Sequence, residues 1–249
     1  MTLSHQQKIA ACILVLYWPG LFVLAHIPIP HVVQEADVSD KSLHFLAYLI
    51  LTFLIWSAVS GNRKVKWRRA APWLVLFLIV VYGILDEWLQ TYVAGRSCDV
   101  RDFFTDLAGA LAGLILSSFL TFWPAGLLVA ATFIFGVTNV TRANLADQLP
   151  VTNAVFHLLA YAILTVLWIQ YTHLFSAAKA PKARWLISAL VVPAGFLIIV
   201  KSFSVITGKD FALSEIIISF GAIAAVVTVF YLRALFRKTQ GSKSENSGP

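Results

Sequence analysis

Apolar residues fall along this chain in long blocks separated by short polar or basic stretches. With generous ends the blocks are 9–26, 42–61, 70–91, 103–122, 124–140, 154–173, 184–206 and 213–233. A helix crossing a bilayer needs about 20 mostly apolar residues, with roughly 17 as the lower bound. Every block reaches that length. Only the fourth and fifth are hard to separate, because no charged residue occurs from Leu107 to Thr141. That stretch is too long for one crossing and long enough for two short ones. Trp123-Pro124 marks the turn, and Pro124 suits the first turn of a fifth helix, where its missing N–H costs nothing. The pattern predicts an all-α polytopic membrane protein of about eight helices. The first block, preceded by Lys8, is too long for the apolar core of a signal peptide. His26-Ile-Pro-Ile-Pro is also a poor cleavage site, so an uncleaved first helix is expected.

Composition agrees with this pattern. The 249 residues are 59% hydrophobic and 12% charged, with a mean hydropathy of +0.80. Soluble domains carry about a quarter charged residues, and a soluble fold would lack polar cover for so much apolar surface. Soluble enzymes, disordered chains and nucleic-acid binders are set aside. The net charge of +7 does not restore nucleic acid as a partner, because the basic residues cluster at the ends of the apolar blocks. Thirteen of the 19 Lys and Arg lie at one set of ends: Lys8, five in 63–69, three in 179–184, and Arg233, Arg237, Lys238 and Lys243. The positive-inside rule then places both termini in the cytoplasm. Cys12 and Cys98 form neither a disulfide framework nor a metal-ligand spacing.

Shifted by 113 residues, the chain overlays itself. His44-Phe-Leu-Ala-Tyr48-Leu-Ile-Leu-Thr-Phe-Leu54 lies on His157-Leu-Leu-Ala-Tyr161-Ala-Ile-Leu-Thr-Val-Leu167, with eight of eleven positions identical. Without a gap, Gly95-Arg96 falls on Gly208-Lys209 and Asp102 on Glu215. This divides the chain into a first copy at 9–122, a second at 123–236 and a polar cytoplasmic tail at 237–249. Four helices per copy would keep both copies in the same orientation, as in transporters built from parallel repeats.

Ionisable residues inside spans are expensive and mark function by default. In the first copy they gather at the outer ends of helices 2, 3 and 4. Asp40, His44 and Tyr48 recur every four residues on one helix face. Glu87 and Gln90 share a face at the end of helix 3, and Asp86 is expected to face the headgroups. Arg96 and Asp99 follow in a short loop, and Asp102, Asp106 and Gly109 open helix 4. The small residues Gly109, Ala112 and Gly113 allow close approach to a neighbouring helix. Arg96 is expected to bridge Glu87 and Asp102, since its planar fork suits two carboxylates. Lys201, inside helix 7, is expected to snorkel rather than pair with Glu215.

The run Asp40-Lys41-x-x-His44-Phe-x-x-Tyr48, then Glu87-x-x-Gln90-x(5)-Arg96-x-x-Asp99-x-x-Asp102-x(3)-Asp106-x-x-Gly109, resembles the VanZ-like family. The resemblance covers about 9–122, with a weakened copy over 123–236. Asp106 departs from it, the family more often having Asn there. In the second copy Glu87, Gln90, Asp99 and Asp106 become Val200, Phe203, Ala212 and Ser219, and Asp40 becomes Asn153. The resemblance implies a bacterial inner-membrane protein of cell-envelope biology, linked to teicoplanin-type glycopeptide resistance, without fixing a reaction. Three classes stay open. The nine residues Asp40, His44, Tyr48, Glu87, Gln90, Arg96, Asp99, Asp102 and Asp106 form a pocket that binds or moves an amphiphile, act on a lipid-linked intermediate, or organise the outer loops. Carboxylates with a histidine supply acid–base groups or hold a divalent ion, and the sequence leaves that ion open. No organic cofactor is expected. Membrane lipids and a lipid-linked or glycopeptide ligand are the implied partners, and no protein partner can be named.

Overall fold

Inside a bilayer each segment must satisfy its own backbone hydrogen bonds, which the α-helix does without help from neighbours. The computed structural model describes residues 3–28, 40–94, 96, 98–140, 149–175, 180–209 and 212–245. Among them are eight helices and no strand: α1 (His5–Ala25), α2 (Asp40–Ser60), α3 (Ala70–Gln90), α4 (Val100–Phe119), α5 (Phe122–Val140), α6 (Pro150–Phe175), α7 (Ala183–Ile206) and α8 (Leu213–Glu245). All eight are long and apolar enough to cross a membrane. The protein is a multi-pass membrane protein. The long uncharged stretch does break in two, at an extended Leu120, with Pro124 in the first turn of α5. The main difference from the expected spans is α8, whose helix continues past residue 233 to Glu245.

The chain divides after Ala143 into two compact units. In the first, α2 is central: α1, α4 and α5 all pack on it. Small residues explain the tightest of these contacts. A Cβ built at Gly113 would lie 3.1 Å from Thr52 Cβ and 3.2 Å from Leu49 O, and one at Gly109 would overlap Phe45 O. Glycine is therefore required for α4 to lie against the backbone of α2. Tyr17 OH donates to Ala47 O at 3.0 Å, and Gln7 Nε2 donates to Ala58 O and Val59 O in the last turn of α2. Gly61, at φ 66°, ends α2 in the left-handed region that other residues resist. The copy boundaries expected from sequence would put α5 in the second copy, whereas its packing partner in this unit is α2, with Phe53 and Phe122 stacked at 5.6 Å.

The second unit holds α6, α7 and α8, which pack pairwise around Tyr161, Ile169, Trp185, Ile223 and Val227. Trp168 Nε1 donates to Ser188 O at 3.0 Å, joining α6 to α7. Large apolar side chains such as Leu16, Phe77, Ile198 and Ile206 are exposed in both units, as lipid-facing positions are.

Candidate functional site

The inward stripe of α3 runs Pro72, Val75, Ile79, Gly83, Asp86 and Gln90 in steps of three or four, with Glu87 beside Asp86 on the same face. Its apolar part ends at Gly83, and the same face then carries two carboxylates and an amide into the interior. The stripe of α4 runs Asp102, Asp106, Gly109, Ala110, Gly113, Leu114 and Ser117. The C-terminal end of α3 therefore meets the N-terminal end of α4 with acids on both sides. Acids are favoured at a helix start, where the dipole is positive. The first turn of α2 and the last turn of α1 close the group.

The contacts follow. Asp99 is the N-cap of α4, its side chain accepting from Arg101 N at 2.8 Å. That hydrogen bond, with Lys41 beside it, holds the Asp99 carboxyl below its usual range. Glu87 Oε2 accepts from Asp99 N at 3.0 Å, so the buried end of α3 holds the cap of α4. Lys41 Nζ donates to Asp102 at 3.0 Å and to Asp99 at 3.3 Å. His44 Nδ1 lies 2.9 Å from Asp106 Oδ1, and Gln90 Nε2 donates to Asp86 Oδ2 at 3.1 Å. Three acids, Asp86, Glu87 and Asp106, are at most 4% exposed. Each keeps one buried oxygen with no hydrogen-bond partner: Asp86 Oδ1, Glu87 Oε1 and Asp106 Oδ2. The Tyr48 hydroxyl is likewise buried and unbonded. A Cβ built at Gly83 would stand 3.6 Å from that hydroxyl and 3.7 Å from Asp106 Oδ2, so both groups turn to the same bare point on α3.

Of the nine residues singled out from sequence, His44, Tyr48, Glu87, Gln90, Asp99, Asp102 and Asp106 come together at this end of the unit. The side chain of Asp40, the first residue of α2, lies outside the described residues. Arg96 does not bridge Glu87 and Asp102. Its Nε donates to Ile27 O at 3.4 Å and its Nη2 to Leu24 O at 3.2 Å, tying the α3–α4 loop to the end of α1. Lys41 takes Asp102 instead, because one turn of α2 sets it beside the start of α4. Asp86 does not face headgroups: it is buried 3.8 Å from His26 Nδ1. Sequence spacing did hold that signal, since Asp86 stands i, i+4 to Gln90 on the buried stripe. His26 carried no such pattern.

The second unit shows the same register with different chemistry. His157 Nδ1 faces Ser219 Oγ at 3.1 Å, as His44 faces Asp106, and Asn153 Nδ2 donates to Glu215 at 2.6 Å. Lys201 does not snorkel. It is 6% exposed, with Nζ 2.6 Å from Glu215 Oε2. The inward stripe of α7 runs through Leu197, Val200, Lys201 and Ser204, and a lysine on it meets a carboxylate rather than water.

Beside the polar end of the first unit lies a groove of about 620 Å³ between α1 and α2. Ile13, Leu16, Tyr17, Gly20, Leu21 and Leu24 line it from α1, and Leu43, Leu46 and Ala47 from α2. At one end it reaches His44, Asp86 and Arg96. The site is therefore a polar head joined to an apolar channel.

Residues 17–123 match the family model described as VanZ/LLP1, a range that holds the whole polar cluster and most of the groove. An 80-residue segment is 28% identical to part of an uncharacterized protein of Schizosaccharomyces pombe, covering 32% of this chain and 47% of that protein. The match thus spans about half the length of that relative. No solved structure matches the chain.

Proposed function

We propose that this multi-pass membrane protein, VanZ-like over residues 17–123, binds an anionic amphiphile. The headgroup would sit at the polar end of the first unit, with the chain along the α1–α2 groove. The observation that supports this is the groove itself, apolar along its length and ending on Arg96, His44 and Asp86. An acyl chain gains little on leaving the bilayer for an apolar groove, since both surroundings are alike. Affinity and selectivity therefore rest on the headgroup. Arg96 has five N–H donors and uses Nε–H and one at Nη2 on carbonyl groups, leaving others for a phosphate or carboxylate.

In this reading the protein sits in the bacterial inner membrane with both termini in the cytoplasm and the polar end outward. Its place is in cell-envelope biology, with susceptibility to teicoplanin-type glycopeptides as a phenotype it alters. The test is a substitution that fills the groove and spares the cluster. A Cβ at Gly20 meets nothing within 4 Å, so Gly20→Phe enters open space. Purified full-length protein exposed to photoactivatable phosphatidylglycerol should label in α1 and α2, and Gly20→Phe should lower that labelling at least fivefold. Equal labelling of both proteins, or equal labelling by phosphatidylcholine, defeats the proposal.

A further inference from the structure

His44, Glu87 and Asp106 come from three different helices, α2, α3 and α4, and each brings one ligand atom within 4.8 Å of the other two. Acids and a histidine in proximity are common without an ion, so spacing alone decides nothing. The decisive feature is what the carboxylates lack. Glu87 is 4% exposed and Asp106 1%, and Glu87 Oε1 and Asp106 Oδ2 have no hydrogen-bond donor. A buried polar atom without a partner costs roughly 1–3 kcal/mol, more if charged, so native proteins seldom leave one. Here two carboxylate oxygens of one cluster are left so. Neither nearby cation bonds these oxygens: Lys41 lies on Asp99 and Asp102, and Arg96 donates to Leu24 O and Ile27 O at the end of α1.

The second unit shows how this fold answers the same problem with a protein cation. Its buried carboxylate, Glu215, is met by the ammonium of Lys201 at 2.6 Å. At the positions 113 residues beyond Glu87 and Asp106 it carries Val200 and Ser219, so no cluster of acids needs a charge there. The first unit has kept the carboxylates and has Trp88 where that lysine would be.

We propose that His44, Glu87 and Asp106 hold a divalent transition-metal cation at the polar end of the first unit. The donor set is one imidazole nitrogen and two carboxylates, which suits zinc or manganese better than calcium or magnesium. The 2.9 Å between His44 Nδ1 and Asp106 Oδ1 is close to the separation of neighbouring ligands about a cation with bonds of roughly 2.0–2.2 Å. The cation takes the place of the proton between them, so binding releases protons. Glu87 closes the third side with its unbonded oxygen while Oε2 keeps the N–H of Asp99. The buried Tyr48 hydroxyl borders the same space beside Asp106, whereas no donor meets Glu87 Oε1. The ion would neutralise the two carboxylates and so remove their repulsion of an anionic headgroup at that end of the groove. It does not depend on the lipid reading, because the three ligands are present whatever occupies the groove.

The experiment uses the full chain in detergent, stripped by chelator, with Cys12 and Cys98 replaced by Ser to remove thiol ligands. Titration with Mn²⁺ should give one site per chain by electron paramagnetic resonance, with Zn²⁺ competing. Electron spin echo modulation should show one nitrogen coupled to the bound Mn²⁺. Glu87→Gln and Asp106→Asn should each weaken binding at least tenfold, Glu87→Asp should recover part of it, and His44→Gln should abolish the nitrogen coupling. Gly20→Phe should leave Mn²⁺ binding unchanged even where lipid labelling is lost. Absence of a stoichiometric site below millimolar Mn²⁺ overturns the inference, and so does bound Mn²⁺ without nitrogen coupling. Should the variants misfold, the nitrogen signal of the unsubstituted protein decides alone.

Discussion

A single lysine shows how steeply burial changes the worth of a charge. Lys201 and Glu215 are 6% and 7% exposed, and each is tolerable only because the other is there. Removing one partner of a buried pair leaves an uncompensated charge and costs about 3–5 kcal/mol, whereas replacing both by apolar groups is often neutral. Lys201→Met should therefore lower stability by about that much, and Lys201→Met with Glu215→Leu should recover most of it. Thermal unfolding of purified protein, followed by far-ultraviolet circular dichroism, measures both. A double variant as unstable as the single would show that Asn153 and His157, which also face Glu215, carry the loss. This pair was within reach of sequence reasoning, because Lys201 lies on the periodic stripe of α7 while snorkelling requires a residue off it. Arg96 was not. Its fork fits two carboxylates in principle, but which acceptors it meets depends on where the end of α1 lies, and no pattern in the chain states that.

At the scale of elements, the α2–α4 contact governs the site, because His44 and Asp106 meet only if these helices lie close. The sequence predicted that closeness from Gly109, Ala112 and Gly113, and the structure shows it at Gly109 and Gly113. Gly109→Ala puts a methyl group into Phe45 O, a backbone atom that cannot swing away. Overpacking of this kind costs about 1–3 kcal/mol. Separating the helices would also lengthen the His44–Asp106 contact. Gly221→Ala in α8 is the matched control, since its Cβ meets nothing within 4 Å. Cross-linking between cysteines introduced at Phe45 and Ala112 reads the helix spacing. Gly109→Ala should slow it at least threefold and Gly221→Ala should not; equal rates would mean that α4 slides rather than separates. The helices themselves were legible almost to their ends, because length and hydropathy determine a span and little else competes. The partners within the polar cluster were less so. Helical periodicity shows which residues share a face, whereas the contact between Glu87 and the backbone of Asp99 belongs to the loop that joins two faces.

For the whole molecule, each unit has a polar end and a basic end. In the first, Lys8 lies in the first turn of α1 and Arg63, Lys64, Lys66, Arg68 and Arg69 lie between α2 and α3, opposite His44 and Glu87 along the helices. In the second, His173, Arg233 and Arg237 line a cavity of about 500 Å³ opposite His157 and Glu215. Because basic loops are retained in the cytoplasm, this polarity has a consequence for access. The proposed orientation turns the cluster outward, so its acids would be reached from the side that holds few basic residues. Cys98, exposed in the loop between α3 and α4, reports on that side as it stands. A membrane-impermeant maleimide added to intact cells should modify Cys98 in a Cys12→Ser background. A cysteine at Lys64, exposed between α2 and α3, should react only after the cells are opened, with Cys98 also replaced by Ser. The reverse pattern would place the cluster in the cytoplasm. The groove would then draw its amphiphile from the inner leaflet, and cytoplasmic metal would be the supply for His44, Glu87 and Asp106.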